Sequence, residues 1–270
     1  MSNAAKILKC TLTYKMLRML FKQTFGFIST FGSVSMRFFE VLKYLFSFQI
    51  NFKLLAEQCS RFAVDSLPIT LSIVCLTAVI MCMQTAPELV KQGGKDFIGL
   101  IAALTIVREI GVIMSGFAVI SMIGSSQASE LAAMRITEQI DAMKTLKVPP
   151  VRYLFLPRVL SGIIMMPLIT IITSACGILA GGLAAMAAGK DVTWLCYITS
   201  VRQGLYIRDI NIMLLKAACF GGAISLISSC CGYDANGGAK GAGIAVSKAV
   251  VISFAAIVVI DCIFALMFYS

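Results

Sequence analysis

The sequence predicts an all-α integral membrane protein with about five transmembrane helices. Its 270 residues are 59% hydrophobic and its mean hydropathy is +0.92, whereas soluble domains are about 45–50% apolar. Charged residues make up only 13% of the chain, which is about half the usual share. Because one globular core cannot hold so much apolar surface, we expect lipid to be the solvent.

Five apolar segments are each close to the roughly 20 residues that a helix needs to cross a bilayer. Pro87 is expected to end the first segment, and Pro167 is expected to kink the third. Small residues in the third segment suit close contact between helices: Gly177, Gly181 and Gly182. The spans are predicted at residues 66–86, 97–123, 159–188, 211–231 and 249–269.

Two regions follow from this pattern: residues 1–65 as amphipathic interfacial helices and residues 66–270 as the transmembrane domain. Within residues 4–24, basic side chains share one helical face, while leucine and methionine occupy the other. The alternative is a solvated helix that packs on the rest of the protein. The first long apolar run begins too late for a secretory signal, so we expect no cleaved leader.

The net charge of +10 comes from basic residues at the ends of the apolar segments. This distribution favours contact with a membrane surface over contact with nucleic acid. Sixteen lysines and arginines lie in the N-terminal region and in loops 124–158 and 232–248, whereas five lie in the opposite loops. The positive-inside rule therefore predicts a cytoplasmic N-terminus and an external C-terminus.

Nothing in the sequence supports catalysis, because it contains no histidine, no nucleophile elbow and no nucleotide-binding signature. Its ten cysteines show no paired spacing, so the pattern does not favour a zinc site. The glycine-rich run at 232–245 lacks the Gly-Lys-Ser/Thr ending of a P-loop and predicts a flexible hairpin. The energy for active transport would come from a separate subunit or an ion gradient.

Four charged residues fall inside the predicted spans: Arg108, Glu109, Lys216 and Asp261. A charge at the bilayer centre costs about 2.5–3.5 kcal/mol on insertion scales and usually faces a cavity or a partner. Three alternatives remain open. Arg108 and Glu109 could form ion pairs that lock helices together, Lys216 could extend to the interface, and Asp261 could cap a helix or pair within the bundle.

The polar segment 127–147 predicts one helix on the cytoplasmic membrane surface. At 100° per residue, its acidic side chains Glu130, Glu138 and Asp141 share a face with Met134. Such a face could dock a soluble partner. The alternative is that the face is merely solvated.

Five short stretches stand in a specific order and spacing: LTIVREIG at 104–111, SELAAMRITEQIDAM at 129–143, Pro157-Arg158, GYDA at 232–235 and Ile260-Asp261. Together they resemble the MlaE/YrbE family of ABC-transporter permeases. The resemblance covers about residues 50–270. There are departures, because Met122 stands where the family usually has arginine, Ala132 where glycine is common, and Lys240 where an acidic residue is frequent.

This resemblance implies a homodimer of permeases that moves phospholipid or a related lipid between the inner and outer membranes of bacteria. It also implies two cytoplasmic ATPase subunits, which would bind ATP and Mg²⁺, and an extracytoplasmic lipid-binding partner of the MCE type. This chain itself would hold no cofactor and no metal. It would lie in the inner membrane with its C-terminus in the periplasm.

The resemblance also implies roles for individual residues. The segment 127–147 would be the coupling helix that sits in a groove of the ATPase. A lipid cavity would lie between the two permease copies, near the outer leaflet, and Asp261 would be a structural charge. The coupling residues would be Glu130, Met134, Arg135, Glu138 and Asp141, and the cavity residues Arg108, Glu109, Gln84 and Lys216.

Two other functions are compatible with these residues. An ion-coupled secondary transporter could use Arg108, Glu109 and Asp261 as a relay, although the sequence shows no inverted repeat. A membrane scaffold that transports nothing is the other possibility.

Overall fold

The computed structural model describes residues 32, 34–37, 39–41, 43, 51–188 and 192–268. The predicted interfacial helix at 4–24 therefore lies outside the described residues. Seven helices run from residue 52 to residue 268, and the described part of the chain contains no β-strand. They are α1 (Phe52–Lys91), α2 (Lys95–Ile136), α3 (Gln139–Thr145), α4 (Val151–Ala188), α5 (Trp194–Gly204), α6 (Ile207–Tyr233) and α7 (Gly238–Phe268).

The all-α membrane fold is confirmed. Helices α1, α2, α4, α6 and α7 are each long and apolar enough to cross a bilayer. Large apolar side chains stay exposed along α1, α4 and α7, among them Leu76, Leu183 and Leu266. A soluble protein would bury much of this surface, so the exposed side chains are those expected to face lipid or another membrane subunit.

The membrane helices are longer than the predicted spans. Helix α1 has 40 residues, which corresponds to about 60 Å against a hydrocarbon core of about 30 Å. It begins at Phe52 rather than at residue 66, and it continues through Pro87 to Lys91. The expectation that Pro87 ends this helix is wrong. Proline removes a single backbone donor, and the adjacent Ala86 is buried in the core and packs with α2 and α4.

Glycines allow α4 to pack closely against α1. A Cβ atom added at Gly177 would lie 3.1 Å from Val74 Cγ1, and one added at Gly181 would lie 2.8 Å from Cys82 Sγ. The predicted close contact at these glycines is therefore confirmed. On another face of α4, Gly162 meets Gly221 of α6, and a Cβ on either would overlap the carbonyl oxygen of the other. At these contacts α4 approaches both α1 and α6 as closely as glycine residues allow.

Helix α5 lies between the third and fourth predicted spans, where the sequence predicts no span. The Tyr197 side chain is buried, and its hydroxyl donates to the Ile178 carbonyl at 2.9 Å. The Ser200 hydroxyl accepts a hydrogen bond from the Leu100 backbone N–H at 2.9 Å. The segment is helical because its apolar face packs on α2 and α4, and a single short helix gives only a weak periodic signal.

The glycine-rich connection is shorter than predicted. Helix α6 continues to Tyr233 and α7 begins at Gly238, so only residues 234–237 join them. Gly237 and Gly238 have φ values of 91° and 69°, which favour glycine over other residues. The hairpin expected over 232–245 is therefore wrong in its extent, because most of the run continues as the first turns of α7.

Candidate functional site

A π-helical turn interrupts α2 at the two charged residues of the second span. Residues Ile106–Ile110 form this turn, which contains Arg108 and Glu109. A π turn adds one residue to the local repeat and often occurs at functional sites. It therefore changes the directions in which neighbouring side chains leave the helix.

Lys216 of α6 connects three membrane helices. Its side chain has no exposed surface, and its ammonium lies 3.0 Å from Glu109 Oε2 on α2. The ammonium also donates to the Arg108 carbonyl at 3.0 Å and forms an ion pair with Asp261 of α7. Extension of Lys216 to the interface is thus excluded, and Asp261 is paired within the bundle. We call Glu109, Lys216 and Asp261 the charged triad.

Arg108 forms a second ion pair beside the charged triad. Its Nε donates to Asp209 Oδ1 at 2.9 Å, and the Asp209 side chain is only 5% exposed. Asp209 lies in the first turn of α6, where a negative charge interacts favourably with the helix dipole. Arg108 and Glu109 thus form ion pairs that link α2 to α6, as one of the alternatives predicted.

The structure brings together four of the charged residues predicted inside the membrane: Arg108, Glu109, Lys216 and Asp261. Sequence reasoning missed Asp209. The available signal was its position seven residues before Lys216, which places both on one face of a helix. Gln84 is not part of this group. It is exposed on α1, and no described residue bonds to its side chain.

A further ion-pair cluster lies at the opposite end of the bundle. Glu130 of α2 accepts from Arg158 of α4 at 2.9 Å, and the Arg158 side chain is only 4% exposed. Arg61 of α1 lies 3.7 Å from the other oxygen of Glu130 and 3.3 Å from Glu57. Glu130 therefore joins α1, α2 and α4, and it does not point away from the bundle as a free docking group.

The predicted coupling segment is two helices, not one. Residues Ser125–Ile136 continue α2, and Glu138 has a φ of 60° at the break before α3. The expectation of one helix over 127–147, with Glu130, Glu138 and Asp141 on one face, is wrong. The left-handed backbone at Glu138 separates the end of α2 from the start of α3. Periodicity along the sequence does not reveal such a break.

Arg135 bridges the two helices across this break, and Lys144 supports the bridge from within α3. Arg135 donates to both oxygens of Asp141 at 2.7 Å, and Lys144 lies 3.0 Å from the same carboxylate. The hydrogen bond from Lys144, followed by that from Arg135, lowers the pKa of Asp141 below its ordinary value. Met134 is half-buried, and Glu138 is exposed and forms no ion pair with the described residues.

Tyr233 lies beside this segment, between two cations. The Arg37 guanidinium is 4.5 Å from the centre of the Tyr233 ring, and Lys144 Nζ is 5.5 Å from it. Arg37 also donates to the Asp234 carboxylate and to the Cys230 carbonyl. The Lys144 contact ties the end of α6 to α3, and the Arg37 contacts tie it to the chain before α1. In the described part of the chain, no group of three or more His, Cys, Asp or Glu side chains could hold a metal ion.

Five apolar helices enclosing paired charges define a multi-pass membrane protein. The family model for the MlaE permease matches residues 55–267. The chain therefore belongs to the MlaE permease family, whose members are permease subunits of ABC transporters.

Similar proteins occur in several organisms. A probable ABC transporter permease of Rickettsia conorii is 32% identical over 92% of this chain and 96% of its own length. Another from Synechocystis is 30% identical over 81% of this chain and 82% of its own length. A third from Pyropia yezoensis is 33% identical over 83% of this chain and 85% of its own length.

Proposed function

We propose that the chain is the membrane subunit of an ATP-driven transporter that moves phospholipid or a related lipid between the inner and outer membranes. It would act as a homodimer in the bacterial inner membrane, with its N-terminus in the cytoplasm and its C-terminus in the periplasm. Two ATPase subunits, which hold ATP and Mg²⁺, would bind from the cytoplasm. An MCE-domain protein would receive or deliver lipid at the periplasmic end.

The observation that carries this proposal is the convergence of five charged side chains from α2, α6 and α7. Because burying charged side chains in a membrane is costly, charged residues at such positions usually belong to a functional site. The Arg108 and Glu109 side chains are each 35% exposed, whereas Lys216 is fully buried. The first two can therefore contact a lipid headgroup, and Lys216 supports them from behind.

Coupling to the ATPase would occur at α3 and at the break before it. Sixteen basic residues against five favour a cytoplasmic location for this end of the bundle. Glu138 is exposed and has no ion-pair partner among the described residues, so an arginine or lysine of the ATPase groove would pair with it. Movement of the ATPase would displace α3. The bridge from Arg135 through Asp141 to Lys144 would transmit this displacement to α2, and Tyr233 would transmit it to α6.

Copurification tests the proposed assembly and its substrate together. The full-length chain would be purified from its native membrane, and its subunits and lipids would be identified by mass spectrometry. The proposal predicts an ABC ATPase, an MCE-domain protein and bound phospholipid.

The two alternatives predict different results after reconstitution into proteoliposomes. A secondary transporter would require a proton or sodium gradient and no ATPase, and a scaffold would transfer no lipid under any condition. Transfer that requires ATP hydrolysis and no ion gradient would exclude both alternatives.

A further inference from the structure

A polar recess with a volume of about 340 Å³ lies between α1 and α2, near the end of α2 that leads to α3. Its charged walls are Arg61 and Asp65 of α1 and Glu130 of α2, and Gln127 adds an amide one turn before Glu130. The recess shares no residue with the charged triad. Asp65 and Gln127 have no role in the interactions described above.

Two hydrogen-bond acceptors in this recess have no donor. Asp65 is exposed and forms no ion pair or hydrogen bond with any described residue. Gln127 is only 5% exposed, and its buried Oε1 accepts no hydrogen bond within the described part of the chain. The terminal torsion of a glutamine side chain is soft, so the amide can turn this oxygen toward a donor in the recess. Because buried polar groups are normally paired, the unpaired amide indicates a ligand that donates hydrogen bonds.

The cations near the recess are already engaged by other carboxylates. Arg61 lies 3.3 Å from Glu57 and 3.7 Å from Glu130. The buried Arg158 lies 2.9 Å from the other oxygen of Glu130. Neither guanidinium is within ion-pair distance of Asp65. Asp65 therefore leaves one uncompensated negative charge, which a singly charged cation would balance.

The size and lining of the recess favour an organic cation over a metal ion. The volume of about 340 Å³ is far larger than a bare ion requires, and the Arg61 guanidinium would repel a divalent ion. Phe62 and Ile123 form apolar walls beside the polar groups. Apolar walls with a few polar groups that fix orientation are typical of sites for small organic ligands.

We infer that the recess binds a primary ammonium group, with Asp65 as its counter-charge and the Gln127 carbonyl as a hydrogen-bond acceptor. A primary ammonium has three N–H donors and no acceptor, as this pair of acceptors requires. Two sources carry this group at a membrane surface: the headgroup of phosphatidylethanolamine and a soluble organic amine. The site does not depend on the proposed function, since it requires neither ATP nor lipid transfer.

Equilibrium binding to the purified full-length chain in an uncharged detergent tests this assignment. The probe is short-chain phosphatidylethanolamine. Phosphatidylcholine with the same acyl chains has a quaternary ammonium without N–H donors, so it measures binding that needs no such donor. The wild-type chain should bind phosphatidylethanolamine about tenfold or more tightly, as expected for charge-assisted hydrogen bonds. Asp65→Asn should remove this preference and leave phosphatidylcholine binding unchanged.

Asp96→Asn is the matched control, because Asp96 is exposed at the other end of α2 and does not line the recess. It removes the same charge and should keep the full preference. Gln127→Leu removes the acceptor at similar size and should reduce the preference less than Asp65→Asn does. Since the wild-type comparison and Gln127→Leu do not require Asp65→Asn to fold, the test remains decisive if that variant is unstable.

Competition by ethanolamine identifies the source of the ammonium group. Displacement of phosphatidylethanolamine at an equal concentration of ethanolamine assigns the site to a soluble amine. Displacement only at a large excess assigns it to the lipid headgroup. Both results support recognition of the ammonium group itself.

Four results would overturn the inference. Two are equal wild-type affinities for the two lipids and an unchanged preference in Asp65→Asn. The third is an equal loss of preference in Asp96→Asn. The fourth is displacement by potassium ions as effective as that by ethanolamine, which would indicate a site for inorganic cations. None of these results would contradict ATP-driven lipid transfer by the reconstituted complex.

Discussion

The ammonium of Lys216 lies 3.0 Å from Glu109 Oε2, although the two residues are 107 positions apart and belong to different membrane helices. Lys216 has no exposed surface, and it also pairs with Asp261. One cation thus contacts two carboxylates and reduces the repulsion between them inside the bundle. The contact joins α2, α6 and α7, and any movement of α6 relative to its neighbours must change it.

Replacing Lys216 with methionine should strongly destabilise the protein. The variant leaves Glu109 and Asp261 without their cation, and breaking a buried ion pair from one side costs about 3–5 kcal/mol. Thermal unfolding of the detergent-solubilised protein measures the effect. Lys240→Met is the control, because Lys240 is exposed and forms no ion pair with the described residues. Equal melting temperatures for the two variants would show that the charged triad contributes little to stability.

Glu130→Gln should also reduce stability, for a different reason. It leaves the buried Arg158 guanidinium without the carboxylate that lies 2.9 Å away, and an unpaired buried charge costs about 3–5 kcal/mol. Glu57→Gln breaks only an exposed pair with Arg61, which is worth about 0.3–0.5 kcal/mol. Thermal unfolding should therefore separate the two variants clearly. A loss of stability for Glu57→Gln as large as that for Glu130→Gln would contradict the assignment of Glu130 as the hub of this cluster.

Composition and apolar run length are enough to predict the fold class and the number of spans, because the need for about 20 apolar residues per span is set by the bilayer. The ends of the helices are not predictable in this way. Residues 52–65 are polar enough to leave the membrane, yet they continue α1. The break at Glu138 is a local backbone conformation with a φ of 60°, and apolar periodicity contains no information about it.

The candidate site was predictable in part. Charges inside apolar segments are conspicuous, so Arg108, Glu109, Lys216 and Asp261 could be selected from the sequence. Their specific partners could not be predicted, because these depend on how α2, α6 and α7 are packed and on the π turn at Ile106–Ile110.

The crossing of α4 and α6 should not tolerate a side chain at Gly162. A Cβ atom there would overlap the Gly221 carbonyl oxygen and lie 2.5 Å from Ser225 Oγ. Gly162→Ala should therefore cost about 1–3 kcal/mol, as overpacking does in well-packed cores. Gly243→Ala is the control on α7, because nothing lies within 4 Å of a Cβ at Gly243. If Gly162→Ala melts at or above the temperature of Gly243→Ala, the close approach of these helices is not real.

Reversing the charges of Glu138 and Asp141 to lysine should abolish retention of the ATPase. Exposed ion pairs are each worth about 0.2–1 kcal/mol, so one substitution can be tolerated, whereas two reversals replace attraction with repulsion. The double variant should insert normally and fail to retain the ATPase in a pull-down.

Because Asp141 also bridges Arg135 and Lys144, Asp141→Asn serves as a control that removes the bridge without adding repulsion. It should retain more ATPase than the double variant. Wild-type retention by the inserted double variant would show that this surface is only solvated.

Lipid transfer by the Arg108→Ala variant tests the central claim most directly. The wild-type chain and the variant would be reconstituted with the ATPase, and ATP-dependent transfer of labelled phospholipid would be measured beside the amount of ATPase that copurifies. Arg108 lies on the π turn, far in sequence from α3. We predict that the variant retains its ATPase and loses most of its lipid transfer. Transfer at the wild-type rate, with normal assembly, would contradict the assignment of this charged cluster to lipid transport.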